Sequence, residues 1–225
     1  MSANHPHAKP HAHTHAQTHV RERRQQLATE AARLMVEGGI RDFHLAKRKA
    51  AQRLGIVDDA SLPRNSEIEA ALREHQRLFL GDRQQTELQR RREAALPALE
   101  FFQHFQPRLV GPVLDGTADA HSPVSLHLHS DDADAVPRWL DEHGIPAHPR
   151  SHRLRLDHER DIDAPAWLFS AEGLEFDVTV LPQDSLRQAP LSGVDGKPMQ
   201  RASLRQLRLL LADAEIADAK ALTAP

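Results

Sequence analysis

The first strong pattern along the chain is helical. Leu27, Ala28, Ala31, Leu34 and Met35 recur at three- and four-residue spacing, which lines one face of a helix, and Gly38-Gly39 ends the run. The same spacing in Phe43, Ala46, Ala50 and Leu54 predicts a second helix over 42–54, with Gly55 as its stop. Pro63, Asn65 and Ser66 mark a third start. Glu69 stands three residues after Ser66 as a capping-box partner, and Ile68, Ala71, Leu72, Leu78 and Phe79 make the apolar stripe. A fourth helix is predicted from near Arg83 to Phe105, with Pro97 interrupting its backbone ladder. Residues 20–105 therefore read as an all-helical module.

After Phe105 the period changes to two. Residues 108–113 read as a short buried strand and residues 124–128 as a second. Ser130 suits the N-cap of a helix through Trp139 and Leu140, closed by Gly144, with Asp131, Asp132 and Asp134 at its positive end. Arg153-Leu154-Arg155-Leu156 alternates like a strand with one wet face. Trp167-Leu168-Phe169, a turn at Gly173 and residues 174–181 predict a hairpin. A last helix starts at Ser203 and carries Leu204, Leu207, Leu210 and Leu211. The predicted fold class is α+β: a helical module, a mixed sheet with one crossover helix at 106–185, then a loop and C-terminal helix at 186–225.

The first 19 residues hold His5, His7, His11, His13, His15 and His19, with no hydrophobic side chain larger than Ala after the initiator. Such a segment buries too little apolar surface to offset its ordering entropy, which predicts a disordered His-rich tail. Alternate imidazoles also suit nickel, copper or zinc. Across all 225 residues the formal charge is -3, so nothing global draws the protein to nucleic acid and any basic surface is local. The absence of cysteine excludes disulfides, thiolate metal sites and a cysteine nucleophile, and suits a reducing compartment. No stretch approaches the roughly 20 apolar residues of a membrane span, and the N-terminus lacks an apolar signal core. The expected setting is the cytoplasm, with no membrane partner.

Two basic runs give nucleic acid a local foothold. Arg41, Lys47, Arg48, Lys49 and Arg53 fall in the second helix and Arg90, Arg91 and Arg92 in the fourth, where cations can track a phosphate backbone. The alternative is the wet face of amphipathic helices, paired with Asp42, Glu67, Glu69, Glu74, Glu87 and Glu93.

Candidate chemistry concentrates in R-L-V-G-P-V-L-D-G-T-A-D-A-H-S-P-V-S-L-H-L-H, from Arg108 to His129. A strand runs into Gly111, a small-residue turn Gly116-Thr117-Ala118 follows, and a polar stretch leads to the alternating strand. This layout resembles the polymerase-beta-type nucleotidyltransferases, in which a strand ends in Gly-Ser, a helical turn carries a Gly-Thr-Ala-like step, and the next strand bears Asp-x-Asp for two magnesium ions. The resemblance implies a nucleotidyltransferase-like domain, phosphate contacts at Gly111, Gly116 and Thr117, and a further catalytic carboxylate on a later strand. Asp177 in E-F-D-V-T-V fills that last role. The chain departs from the pattern at Pro112, where the serine belongs, and at Pro123 and Ser125, where the aspartates belong. Pro112 has neither a hydroxyl nor an amide hydrogen, and one carboxylate beside Ser125 makes a poor two-metal site.

His127 and His129 share a strand face with Ser125. That face either presents imidazoles to a transition metal or a phosphate monoanion, or is a solvated sheet face. The expectation is a degraded nucleotidyltransferase-like pseudoenzyme that binds a nucleotide or a macromolecular partner. One alternative is an active transferase with magnesium on unorthodox ligands, and another is an adaptor acting through the basic helices. A remote alternative comes from Gly193-Val194-Asp195-Gly196-Lys197, which resembles the phosphate loop of ATP-dependent ligases with Pro198 in place of the hydroxyl residue.

Overall fold

Capping and apolar spacing together account for the helices at the start of the computed structural model, which describes residues 11–56, 58, 61–79, 81–157 and 159–223. Helix α1 spans His11–Gly38 and buries Leu27, Ala28, Ala31 and Ala32. It begins well before residue 20, so residues 11–19 of the expected disordered tail are helical. Once the Leu27 face is packed, adding each upstream residue costs only propagation, and the Ala-, Gln- and Arg-containing stretch favours helix. Residues 1–10 of that tail lie outside the described residues.

Helix α2, Phe43–Leu54, is capped by Asp42, whose carboxylate accepts from the Leu45 amide at 2.9 Å, and ends at Gly55 with φ 65°. Helix α3 is Asn65–Phe79. Its start lies one residue before the predicted Ser66, so the capping contact is Glu67 accepting from the Arg64 amide at 2.6 Å, and Glu69 pairs with Arg73 instead. Ala46, Ala50, Ile68 and Leu72 complete a core with the α1 residues.

The chain divides into two compact units at Phe79 and Leu80, so the helical module stops well short of residue 105. Helix α4, Gly81–Phe101, runs through Pro97 and belongs to the second unit, where Ala95, Leu99 and Phe102 share the core of the sheet. Strand β1 is only Arg108–Val110. Gly111, at φ 69°, turns the chain, and Pro112 opens a helical turn, α5, Pro112–Asp115, where a longer strand was expected. Strand β2 is Val124–His129. Ser130 does not cap the next helix. Its hydroxyl closes a local turn on the Asp132 amide and carbonyl, and α6 begins later, at Ala135–Glu142.

Strands β3, His148–Arg155, β4, Asp161–Ala171, and β5, Leu174–Leu181, complete a five-stranded sheet in the order β1-β2-β5-β4-β3. β1 is antiparallel to β2, β2 parallel to β5, and the rest antiparallel. Glu172 and Gly173, at φ 52° and 73°, make the two-residue turn that joins β4 to β5. Helix α7, Leu204–Thr223, starts from a reciprocal capping box, with Ser203 accepting from the Gln206 amide and the Gln206 side chain accepting from the Ser203 amide. The fold is thus α+β, helices first, then a mixed sheet with intervening helices and a C-terminal helix.

Candidate functional site

Strand alternation splits the sheet into two faces. Leu109, Val124, Leu126, Leu128, Phe176, Val178 and Val180 enter the core against α4, α6 and α7. The residues between them point the other way. Register puts Val110, Ser125, Asp177 and Leu168 in one row, and Arg108, His127, Thr179 and Ala166 in the next. A Cβ added at Gly111 would stand 3.9 Å from the Ser125 Cβ. Gly111, Ser125 and Asp177 therefore converge, and His127 adjoins them along β2.

The glycine turn does not present a cradle of amides. The amides of Asp115, Gly116, Thr117 and Ala118 all donate to the Gly111 or Pro112 carbonyls. Gln84 donates to the Gly116 and Ala118 carbonyls, and Arg92 to those of Val113 and Leu114. Gly116 and Thr117 accordingly hold the shape of the turn, and the phosphate contacts expected of their amides are already spent.

Two of the three α4 arginines expected to meet nucleic acid are spent on carbonyls of this unit. Arg91 is 3 % exposed and donates to the Ser122, Ala120 and Glu87 carbonyls and to the Glu87 carboxylate. Arg90 donates to the Glu172 carbonyl at 3.4 Å. Arg91 and Arg92 thus pin loops and are not free to track a phosphate backbone. In the helical unit, Arg48 and Lys49 are exposed, whereas Lys47 is half-buried and its pKa is lowered by that burial.

Asp177 has a resident partner. His152, on β3 opposite Ala164 of β4, reaches past β4 toward Asp177, which lies opposite Leu168, and its Nε2 stands 2.9 Å from both Asp177 carboxylate oxygens. The hydrogen bond to Asp177 raises the His152 pKa against the opposing effect of burial, so the contact favours the protonated ring. Sequence reasoning missed His152 because its strand was begun at Arg153. The signal was present: His148, Arg150 and His152 alternate.

His127 and His129 are not on a solvated face. They are 4 % and 0 % exposed. Burial first, then the charges of His129, Arg201 and His152, push the His127 pKa down to about 3. Burial and the charges of Arg201 and Arg108 hold His129 at about 4, although its Nδ1 donates to the Gln106 carbonyl at 3.0 Å. The His127 Nδ1 and His129 Nε2 have no hydrogen-bond partner. Both rings are neutral near pH 7, and the bond to Gln106 leaves His129 Nε2 as an unsatisfied acceptor.

The donor set does not fit magnesium. A pair of divalent ions needs several carboxylate oxygens, and here the one carboxylate of the row is already bridged by His152. Among the described residues no group of three His, Asp or Glu side chains could hold a metal ion. The Gly193–Lys197 segment is a turn closed by the Ser192 amide on the Lys197 carbonyl and by a bridge between Leu191 and Pro198, so it lacks the strand-to-helix setting of a phosphate loop. No helix among the described residues is long and apolar enough to cross a membrane. No protein-family model, curated protein or solved structure matches the chain.

Proposed function

We propose that the sheet unit is a nucleotidyltransferase-like pseudoenzyme that holds a nucleotide without two-metal transfer, in a cytoplasmic protein. The observation that carries this reading is the closed His152–Asp177 pair beside Ser125 and the Gly111 turn. Nucleotidyl transfer depends on carboxylates that hold metal between the attacking oxygen and the α-phosphate. In this chain the one carboxylate expected for that task is already hydrogen-bonded through both oxygens to His152, and Ser125 contributes none beside it. The antiparallel β1–β2 and parallel β2–β5 pairing support the resemblance in architecture, while the side chains argue against the chemistry. Lack of cysteine supports the reducing compartment.

Isothermal titration of the full chain with ATP, CTP, GTP and UTP, with and without magnesium or manganese, tests this. The expected result is binding that the metal does not strengthen. If no nucleotide binds, the proposal falls. Metal-dependent turnover that Asp177→Asn abolishes establishes the active transferase in its place. A second reading, an adaptor for nucleic acid, retains the α2 cations, of which Arg48 and Lys49 are exposed, and the exposed Arg90.

A further inference from the structure

Two arginines outside any catalytic pattern face the same side of the sheet as Ser125 and Asp177. Arg108 lies directly across from His127 in the β1–β2 ladder. The Leu109–Ala202 bridge, with amide-to-carbonyl distances of 2.8 and 2.9 Å, sends Leu109 and Ala202 into the core, so the flanking Arg108 and Arg201 turn to the opposite face. Arg201 is fixed there by donating to the Ser185 and Leu186 carbonyls at 2.6 and 3.1 Å. Arg108 donates only to the nearby Gln106 and Pro107 carbonyls. Neither guanidinium has a carboxylate partner among the described residues.

The two cations stand close enough for Arg108 to lower the Arg201 pKa, after burial, and for Arg201 to act on both buried histidines. Two half-buried guanidiniums on one face, each tied only to its own backbone carbonyls, cost electrostatic free energy. Below them, the His127 Nδ1 and His129 Nε2 are buried and unpartnered. Asp177, the one carboxylate of the row, is occupied by His152. The face that would be acidic in a metal-dependent transferase is here basic.

We propose that Arg108 and Arg201, backed by His127 and His129, form a site that takes a phosphate group directly, with no metal ion between. Planar guanidinium forks match phosphate oxygens and supply the charge that a metal would otherwise bring. The site deepens the nucleotide reading by naming what holds the phosphates, and it rests on that reading only for the identity of the rest of the ligand.

The test is titration of the full chain with sodium pyrophosphate, and in parallel with ATP, in the presence of EDTA. Saturable pyrophosphate binding is expected, weakened about tenfold or more by Arg108→Gln, since a charge-assisted contact is lost. Arg201→Gln also removes the ties to Ser185 and Leu186, so Arg201→Lys serves as the second variant: it keeps the charge, loses the fork, and is expected to weaken binding several-fold. Arg23→Gln, at an exposed position of α1, is expected to leave the affinity unchanged. Absence of pyrophosphate binding, or equal binding by wild type, Arg108→Gln and Arg201→Lys, overturns the site. ATP binding that neither variant alters also overturns it and leaves the nucleotide reading intact. Pyrophosphate binding that both variants weaken, with ATP bound no more tightly than pyrophosphate, upholds the site and removes the nucleotide.

Discussion

Acid should destabilise the sheet unit above the pH at which its carboxylates begin to titrate, because His127 and His129 are buried as neutral rings. Their folded pKa values, about 3 and about 4, lie below the unfolded histidine value of about 6.5. A depressed folded pKa means that stability is fully present above about pH 6.5 and is lost as pH falls toward the folded values. Each such group contributes about 1.4 kcal/mol per pH unit once the unfolded chain is protonated and the native state is not. Two groups therefore give a slope approaching 3 kcal/mol per pH unit, about 5 kcal/mol between pH 6.5 and 4.5, on the scale of a small domain's entire stability. Glu87, Asp132 and Asp157 are also depressed, by their hydrogen bonds to Arg91, Arg138 and Arg160, but carboxylate losses begin only near their unfolded values of about 4. The window from pH 6.5 to 5 thus reports on the histidines. Urea unfolding read by tryptophan fluorescence is selective, since both tryptophans, Trp139 and Trp167, pack on the sheet core. His127→Leu removes one titrating group and one unsatisfied nitrogen, so the slope should fall by about half and the stability at pH 5 should rise. A flat wild-type profile in this window, or an unchanged slope in the variant, refutes the reasoning.

Three further outcomes follow from the same geometry. Arg91→Ala leaves the Ser122 and Ala120 carbonyls and the Glu87 carboxylate without their donor, and is expected to cost about 3 kcal/mol in urea unfolding, with Arg91→Lys recovering little of it. Asp177→Asn weakens the hydrogen bond and removes the charge that raise the His152 pKa, so the His152 ring signals in NMR should titrate at lower pH than in wild type. The stability that His152 gains from Asp177 is fully present below about pH 6.5 and lost as pH rises through its raised folded value, and the variant should lack that alkaline decline. Charge reversal of Arg48 and Lys49 should weaken any salt-sensitive complex with RNA in a filter-binding titration, and an unchanged affinity removes the adaptor reading.

The helices were legible where their faces and caps were local. Asp42 and Gly55 bracket α2 in sequence and in space, and Ser203 opens α7 as its capping pattern implies. α4 was assigned to the wrong unit because apolar spacing shows that a helix has a buried face, not what it packs against. Its Ala95, Leu99 and Phe102 meet the sheet, whose strands come later in the chain. The basic run at 90–92 misled for a related reason: Arg91 and Arg92 find carbonyls more than 20 residues away, and no local rule reports such partners. Ser125 and Asp177 were each named through the resemblance alone, and the parallel β2–β5 ladder sets them side by side. His152 and Arg201 were not, since each reaches the face from a segment whose placement depends on long-range pairing.

Ser125 and His152 make sense together. An aspartate at 125 would lie directly beside Asp177 in the ladder, where two like charges repel unless a cation sits between them. With serine there, Asp177 needs a single positive partner, and His152 supplies it at 2.9 Å. Ser125→Asp alone is therefore expected to raise the His152 pKa further and to recruit no manganese, because His152 already engages both Asp177 oxygens. Ser125→Asp combined with His152→Ala frees two adjacent carboxylates and should bind manganese, read by the loss of its free-ion electron paramagnetic resonance signal. Tight manganese binding by Ser125→Asp alone would show that His152 yields to a metal, and that the departure from a two-metal site rests on residue 125 rather than on the His152–Asp177 pair.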